Sequence, residues 1–134
     1  MDGHLKFPAQ IARVLSRKCD LPTRLRNAYA AKDRKALKKI LDADLPWLLA
    51  ETDKLRGIHR EFWFTQHKPQ GWEVIEGRYG GVIARLQTTA WRLDGYLKGN
   101  VESLPELEER RERVYGERLP CLGHGRVATA SAIK

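Results

Sequence analysis

The chain has 134 residues, of which 42% are hydrophobic, and this composition excludes a disordered tail and predicts one domain with a hydrophobic core. Its 25 lysines and arginines outnumber 17 acidic residues and give a formal net charge of +8, so nucleic acid has to be weighed as a partner. No apolar run approaches the roughly 18 residues of a membrane span, no signal-peptide pattern is present, and Cys19 and Cys121 are too few for a disulfide framework or a zinc site. We therefore expect a cytoplasmic protein, or part of a larger protein whose targeting signal lies elsewhere, with reduced thiols and no membrane contact.

Apolar residues recur at helical spacing between Leu21 and Arg113, without the alternation of a half-buried strand, and this predicts an all-α domain. Pro8 is expected at or near the start of a first amphipathic helix, where its missing N–H has no cost. Thr23 and Asp33 are expected to cap the second and third helices. These flanking helices are predicted within residues 1–20, at about 23–31 and at about 34–41.

The cleanest periodicity predicts a long antiparallel helical hairpin, formed by helices at about 44–65 and 72–98. Asp44 is expected to cap the first of these helices. The connecting loop contains a proline and a glycine, which cannot comfortably continue a helix, and Gly99 is expected to end the second helix. The shorter helices would pack around this hairpin and complete a helical bundle.

The sequence after the hairpin predicts one more helix and then coil. Ser103-Leu104-Pro105-Glu106 has the spacing of a capping box and predicts a charged helix from Pro105 to about residue 114. Glycines, prolines and small residues dominate the rest. We therefore expect a single helical domain at 1–114 and an irregular C-terminal tail at 115–134.

Three glycines lie inside the predicted helix at 72–98. Gly77, Gly80 and Gly81 each cost about 1 kcal/mol relative to alanine in a helix interior, so something is expected to approach closely there. The preferred interpretation is tight packing against a neighbouring backbone. The alternative is that the glycines present Arg78 and Tyr79 to a partner or ligand.

The residues offer no convincing catalytic or metal site. Glu73 with Glu76 and Glu108 with Glu109 are close carboxylate pairs of the kind used in acid–base chemistry, but both pairs lie in the first turns of predicted helices, where the helix dipole favours negative charge. The four histidines are too dispersed for a metal site, and His59 falls on a buried helical stripe, as a core residue would. The glycine-rich run lacks the lysine and strand of a phosphate loop. We predict no catalytic, cofactor-binding or metal-binding residues.

The positive charge is concentrated at the N-terminus. Residues 1–42 contain 11 basic and 4 acidic side chains. Between Arg13 and Lys39 only Tyr29 is aromatic, and no nucleic-acid recognition motif is present, so a solvated basic face is the simpler interpretation. A small basic helical module that binds nucleic acid or an acidic protein stays as the alternative function.

The run from Phe62 to Leu86 resembles the C-terminal helical domain of bacterial glycoside hydrolase family 20 enzymes, the β-N-acetylhexosaminidases. Similar stretches flank it, so the resemblance covers roughly residues 11–133. Three positions depart from the family pattern: His67 replaces asparagine before Lys-Pro, Glu76 replaces aspartate, and Gly77 replaces a branched apolar residue. The residues that carry the resemblance are Lys68-Pro69-x-Gly71-Trp72-Glu73-Val74-Ile75, then Arg78-Tyr79-Gly80-Gly81 and Arg85-Leu86.

This resemblance implies an accessory domain rather than an enzyme. Family 20 enzymes place catalysis in a (β/α)₈ barrel of about 250 residues, which this chain cannot accommodate, and use an adjacent Asp-Glu pair, which the sequence does not contain. The implied role is structural, by packing on a catalytic barrel or by self-association. Aromatic residues and arginines are enriched at such contacts. The residues expected there are Trp63, Trp72, Arg78, Tyr79 and Arg85.

Overall fold

The computed structural model describes residues 3–109 as a bundle of α-helices. No strand occurs among these residues, and the predicted all-α class is confirmed. Within the same range no helix has the length and hydropathy needed to cross a membrane. The helices are α1 (Gly3–Lys18), α2 (Leu21–Ala30), α3 (Arg34–Lys39), α4 (Leu45–Gln66), α5 (Trp72–Leu97) and α6 (Pro105–Glu108), with a π-helical turn (Ile40–Asp44) between α3 and α4.

The predicted hairpin is confirmed: α4 and α5 run antiparallel and pack along each other, and α1 packs along α4. The core lies between these helices and the short α2 and α3, because each contributes an apolar stripe to it. The side chains that are almost wholly excluded from solvent are Leu37, Leu45, Leu48, Leu93 and Leu104.

The first helix of the hairpin continues from α3 without a break, which differs from the prediction of a new helix capped by Asp44. Asp44 has helical dihedral angles (φ −72°, ψ −45°) and its side chain makes no capping hydrogen bond. The backbone N–H of Leu45 bonds instead to the carbonyl of Ile40, five residues earlier. A proline ring clashes with the carbonyl four residues before it, and widening the turn just before Pro46 relieves that clash.

Two other predicted helix starts are also wrong. α1 begins at Gly3 and carries Pro8 in its interior, on an exposed side where water can satisfy the carbonyl that loses its donor. α2 begins at Leu21 rather than after Thr23, since Pro22 fits the first turn of a helix. The predicted cap of α3 is confirmed, because the Asp33 carboxylate accepts hydrogen bonds from two backbone N–H groups at 3.1 and 3.0 Å.

Gly99 ends α5 as predicted. Its φ of 77° is left-handed, and the N–H groups of Gly99 and Asn100 bond back to the carbonyls of Tyr96 and Gly95, which is a Schellman motif.

The helix that follows differs from the predicted capping box. α6 begins after Leu104 with no side-chain cap and has an extended residue at Glu109. The predicted continuation to residue 114, the domain limit at 114 and the coil at 115–134 lie outside the described residues.

Candidate docking surface

Aromatic rings from α1, α4 and α5 gather at the closed end of the hairpin. Trp72, the first residue of α5, is only 6% exposed and contacts the rings of Trp63, Phe64 and His59 at centroid distances of 6.3, 6.1 and 5.4 Å. Phe7 of α1 packs on His59 with centroids 4.2 Å apart. This cluster holds α1, α4 and α5 together at one end of the bundle. Its aromatic pairs stabilise the contact beyond the effect of the area that they bury.

His59 and Tyr79 form the polar contact inside this cluster. The His59 Nδ1 atom lies 2.9 Å from the Tyr79 hydroxyl oxygen. Burial lowers the pKa of His59 and raises the pKa of Tyr79, since it disfavours the charged form of each group. Both side chains are therefore neutral near pH 7, and the phenol can donate to the unprotonated ring nitrogen. The half-buried His59 is a structural residue of the hairpin.

The loop that carries the family-like motif is closed by Trp63. Its indole N–H donates to the Lys68 carbonyl at 3.0 Å, and its ring stacks near His67 with centroids 4.6 Å apart. Gly71 has a φ of 92°, a conformation that favours glycine, and leads directly into buried Trp72. The motif therefore has a structural role, because its residues form the turn between α4 and α5.

The outward face of α5 is the most unusual surface of the described residues. It lies opposite the core stripe of the same helix and carries no charged side chain from Val74 to Trp91, where an exposed helix normally has lysine and glutamate. Val74 is 55% exposed and Trp91 is 71% exposed. We call this the small-residue face; its members are Val74, Gly77, Gly80, Gly81, Ala84, Thr88 and Trp91.

The three glycines of this face do not serve packing within the described part of the domain. A Cβ atom built on Gly77, Gly80 or Gly81 would meet no atom within 4 Å. The prediction of tight packing against a neighbouring backbone is therefore wrong for residues 3–109. The alternative, that the glycines present Arg78 and Tyr79, fits exposed Arg78 but not Tyr79, which is half-buried against His59.

Arg78 and Arg85 are seven positions apart on α5 and share one flank of the small-residue face. Arg78 is exposed, and Arg85 is half-buried beside α2. Of the residues predicted from the sequence, these two lie next to the face, whereas Trp63, Trp72 and Tyr79 lie in the aromatic cluster.

Sequence reasoning missed the small-residue face itself. Ala84, Thr88 and Trp91 were not singled out, although the signal was present as small residues recurring every three or four positions opposite the apolar stripe of one helix.

The carboxylates that the sequence suggested as acid–base candidates have other partners. Glu73 accepts a hydrogen bond from the Gly71 N–H at 3.1 Å, Glu76 lies 3.4 Å from Arg56, and Glu108 accepts from the Tyr29 hydroxyl at 2.6 Å. None of them faces another carboxylate across an enclosed cavity. Among residues 3–109, no three histidine, cysteine, aspartate or glutamate side chains are grouped as metal ligands would be.

Much of the basic N-terminal run is used within the domain. Arg13 pairs with Glu51 at 2.8 Å, and its guanidinium and that of Arg17 lie over the Trp47 ring. Arg34 donates to the Leu97 carbonyl and ties α3 to the end of α5. Arg13 and Arg17 are still 55% and 45% exposed, so these contacts do not by themselves decide against a nucleic-acid interface.

A comparison with protein families gives a match over most of the chain. The family described as Glycoside Hydrolase 20C C-terminal domain matches residues 1–121, which include all the helices described above and the small-residue face. A comparison with curated protein sequences finds no match.

Proposed function

The chain belongs to the Glycoside Hydrolase 20C C-terminal domain family, and we propose from this that it is an accessory domain that packs on a catalytic (β/α)₈ barrel. The 134 residues are too few to include such a barrel, which takes about 250. In this proposal the domain contributes no catalytic group and acts by buttressing the barrel.

The small-residue face carries the proposal. Burying an exposed tryptophan such as Trp91 and an exposed valine such as Val74 is favourable by about 25 cal/mol per Å² of apolar surface. Between them, Gly77, Gly81 and Ala84 carry no large side chain, and we call this strip the channel, because another backbone can approach it closely. The outer layer of a barrel consists of helices, and a helix packs well into a channel of this kind.

The five predicted contact residues divide into two groups under this proposal. Arg78 and Arg85 flank the face, and we assign them direct polar contacts with the barrel. Trp63, Trp72 and Tyr79 are assigned a positioning role, because the aromatic cluster holds the start of α5 against α4 and so orients the face.

Binding to a barrel tests this assignment. The ligand is the barrel of a glycoside hydrolase 20C enzyme from which its own C-terminal domain has been removed, and the dissociation constant is measured by calorimetry. Ala84→Arg places a long charged side chain in the channel and should weaken binding at least ~10-fold. Ala50→Arg is the matched control, since Ala50 is an exposed alanine inside α4, away from the face, and should bind as the unchanged chain does.

Two results would overturn the proposal: no binding by the folded unchanged chain, or equal weakening by both arginine variants. Sedimentation of the isolated chain tests whether a second copy of this chain binds to the small-residue face instead of a barrel. If Trp91→Lys abolishes self-association and the barrel does not bind, the face is a dimer contact. Measuring the complex at ~0.05 and ~0.5 M salt separates apolar docking from phosphate recognition, because phosphate binding weakens steeply with salt.

A further inference from the structure

A second surface feature, separate from the small-residue face, is an open groove between α2 and α5. Its wider part has a volume of about 320 Å³, and a narrower part of about 160 Å³ continues along α5 toward α6. Thr89 and Leu107 line both parts, so the two form one elongated groove. Along α5 it extends from Val82 to Leu93, which is about 16 Å of helix.

The floor of this groove is apolar. Two hydroxyl groups line its narrower part, but each donates to a carbonyl of its own helix, Thr88 to Ala84 at 3.0 Å and Thr89 to Arg85 at 2.9 Å. The floor therefore favours an apolar side chain over a polar one, which would lose its hydrogen bonds to water there. The apolar residues of the floor are Leu21, Leu25, Leu45, Val82, Leu86, Leu93, Leu104 and Leu107.

The rim of the groove is positively charged. Lys18 and Arg26 stand on it, and neither forms an ion pair with any residue between 3 and 109. Arg85 lines the same part of the groove. Glu106 is the carboxylate among the described lining residues, and both of its oxygens accept hydrogen bonds from Arg92, at 2.8 and 3.1 Å, so its charge is already compensated. An occupant that complements this rim carries carboxylates.

Charge disfavours two occupants that are close at hand. Residues 110–121 of this chain contain four arginines and two glutamates, and a second copy has the same net charge of +8. Both would bring positive charge to a positive rim. Nucleic acid would pair with the cations, but its phosphates gain nothing from an apolar floor.

We propose that this groove binds an acidic amphipathic helix of a partner protein. Large apolar side chains of that helix, at spacings of three and four, enter the wide and narrow parts, and carboxylates beside them pair with Lys18 and Arg26. The length of the groove matches about three turns of such a helix. This site is separate from the small-residue face and does not depend on docking to a barrel.

Binding of a synthetic peptide to the full chain tests this proposal. The peptide is a stapled helix of about 14 residues, with leucines at spacings of three and four and glutamates on both sides of them. A second peptide has lysine at every glutamate position. Nuclear magnetic resonance follows the backbone amides during titration and gives both the site and the dissociation constant. We expect the acidic peptide to shift amides at residues 21–26 and 82–93, and to bind at least ~10-fold more tightly than the lysine peptide at about 0.05 M salt.

A charge-reversed variant and a matched control test the rim. Lys18→Glu with Arg26→Glu should weaken binding of the acidic peptide at least ~10-fold. Lys35→Glu with Lys39→Glu changes the net charge equally, at exposed positions of α3 that do not line the groove. This control should change the dissociation constant less than ~2-fold, because exposed charges at a distance are screened.

A filled groove tests the apolar floor. Thr89 is half-buried and lines both parts, so Thr89→Trp places a large ring in the groove and keeps every charge of the rim. Binding of the acidic peptide should weaken at least ~10-fold. Ala84→Arg is the control on the small-residue face and should bind the peptide as the unchanged chain does, which keeps this test independent of the proposed function.

The proposal is overturned if neither peptide shifts a groove amide, if both peptides bind equally, or if the control variants weaken binding as much as the groove variants. A double-stranded oligonucleotide that shifts these amides at lower concentration than the acidic peptide would assign the rim to phosphate. Groove amides that shift with chain concentration alone would assign the groove to a second copy. If Thr89→Trp loses its dispersed spectrum, the charge-reversed variant, which changes no core residue, decides the outcome.

Discussion

The Arg24 guanidinium donates a hydrogen bond from Nη1 to the Asp44 Oδ2 atom at 2.8 Å, and this contact joins α2 to the π-helical turn of the long helix. Asp44 is buried, and Arg17 approaches its other oxygen at 3.9 Å. The bond to Asp44 is the main reason that the pKa of Arg24 is raised. A carboxylate that sequence patterns suggest as a helix cap is therefore a cross-link between helices.

Asp44→Asn should destabilise the domain by roughly 1–2 kcal/mol, because it removes a charge-assisted hydrogen bond at a buried position. Asp42→Asn is the matched control. Asp42 lies two residues away, is exposed and pairs with Lys38 along the same helix, so its loss should cost clearly less than the loss of Asp44. Urea unfolding of both variants measures the difference, and equal effects would show that the Asp44 contact contributes little.

The helical class and the hairpin were predictable because the apolar spacing of α4 and α5 is regular over many turns. The continuous helix through Ile40–Asp44 was not, since Asp44 and Pro46 have the residue types of a helix start and only the tertiary contact with Arg24 explains the aspartate. A local sequence pattern predicts a helix cap correctly at Asp33, whose side chain bonds only to nearby backbone. It fails at Asp44, whose side chain bonds to a distant arginine.

The contact residues expected from the sequence stay a prediction. Arg78 and Arg85 lie beside the small-residue face, but the sequence does not identify Trp91, since a single tryptophan in an amphipathic helix does not by itself indicate which side it faces. The glycines were correctly recognised as costly, yet the preferred reason for them was wrong. Whether these glycines pack inside the domain or lie on an exposed face depends on their burial. The spacing of glycines in the sequence does not indicate burial.

Gly77→Ala and Gly81→Ala should each stabilise the isolated domain by roughly 0.5–1 kcal/mol, because alanine lowers the entropy of the unfolded chain and has open space around its Cβ. Gly95→Ala is the control within the same helix. Its Cβ would lie 3.3 Å from a methyl group of Val101, so a smaller gain or a loss is expected. Denaturant unfolding measures these changes, and a loss above about 1 kcal/mol at Gly77 would indicate close packing that residues 3–109 do not contain.

The His59–Tyr79 contact predicts a pH dependence of stability. Burial lowers the pKa of folded His59 below its usual 6.5, so at pH values below 6.5 the unfolded chain takes up more protons than the folded one. The free energy of unfolding should therefore fall as the pH falls from about 7.5 to about 5.5. The lowered pKa values of Glu51 and Glu106 act in the same direction but only below their usual 4.5, in a separate range.

His59→Gln removes this titration and keeps a group that can bond to the Tyr79 hydroxyl. Stability of this variant should change less between about pH 7.5 and about pH 5.5 than that of the unchanged chain. Urea unfolding at the two pH values gives the comparison. An equal slope in both proteins would mean that another group, and not His59, titrates in this range.

The purified chain should not hydrolyse a chromogenic β-N-acetylglucosaminide. Acid catalysis of glycoside cleavage needs a carboxyl group whose pKa is raised so that it is protonated beside the leaving oxygen. The pKa of Glu106 is lowered rather than raised, because its carboxylate accepts a hydrogen bond from Arg92 at 2.8 Å. Glu73 and Glu76 are exposed and contact a backbone N–H and an arginine, so neither has the apolar enclosure that a sugar pocket provides.

A family 20 enzyme serves as the positive control at about pH 5 to 7. Turnover that survives purification and disappears in Glu73→Gln or Glu76→Gln would identify this domain as an enzyme in its own right.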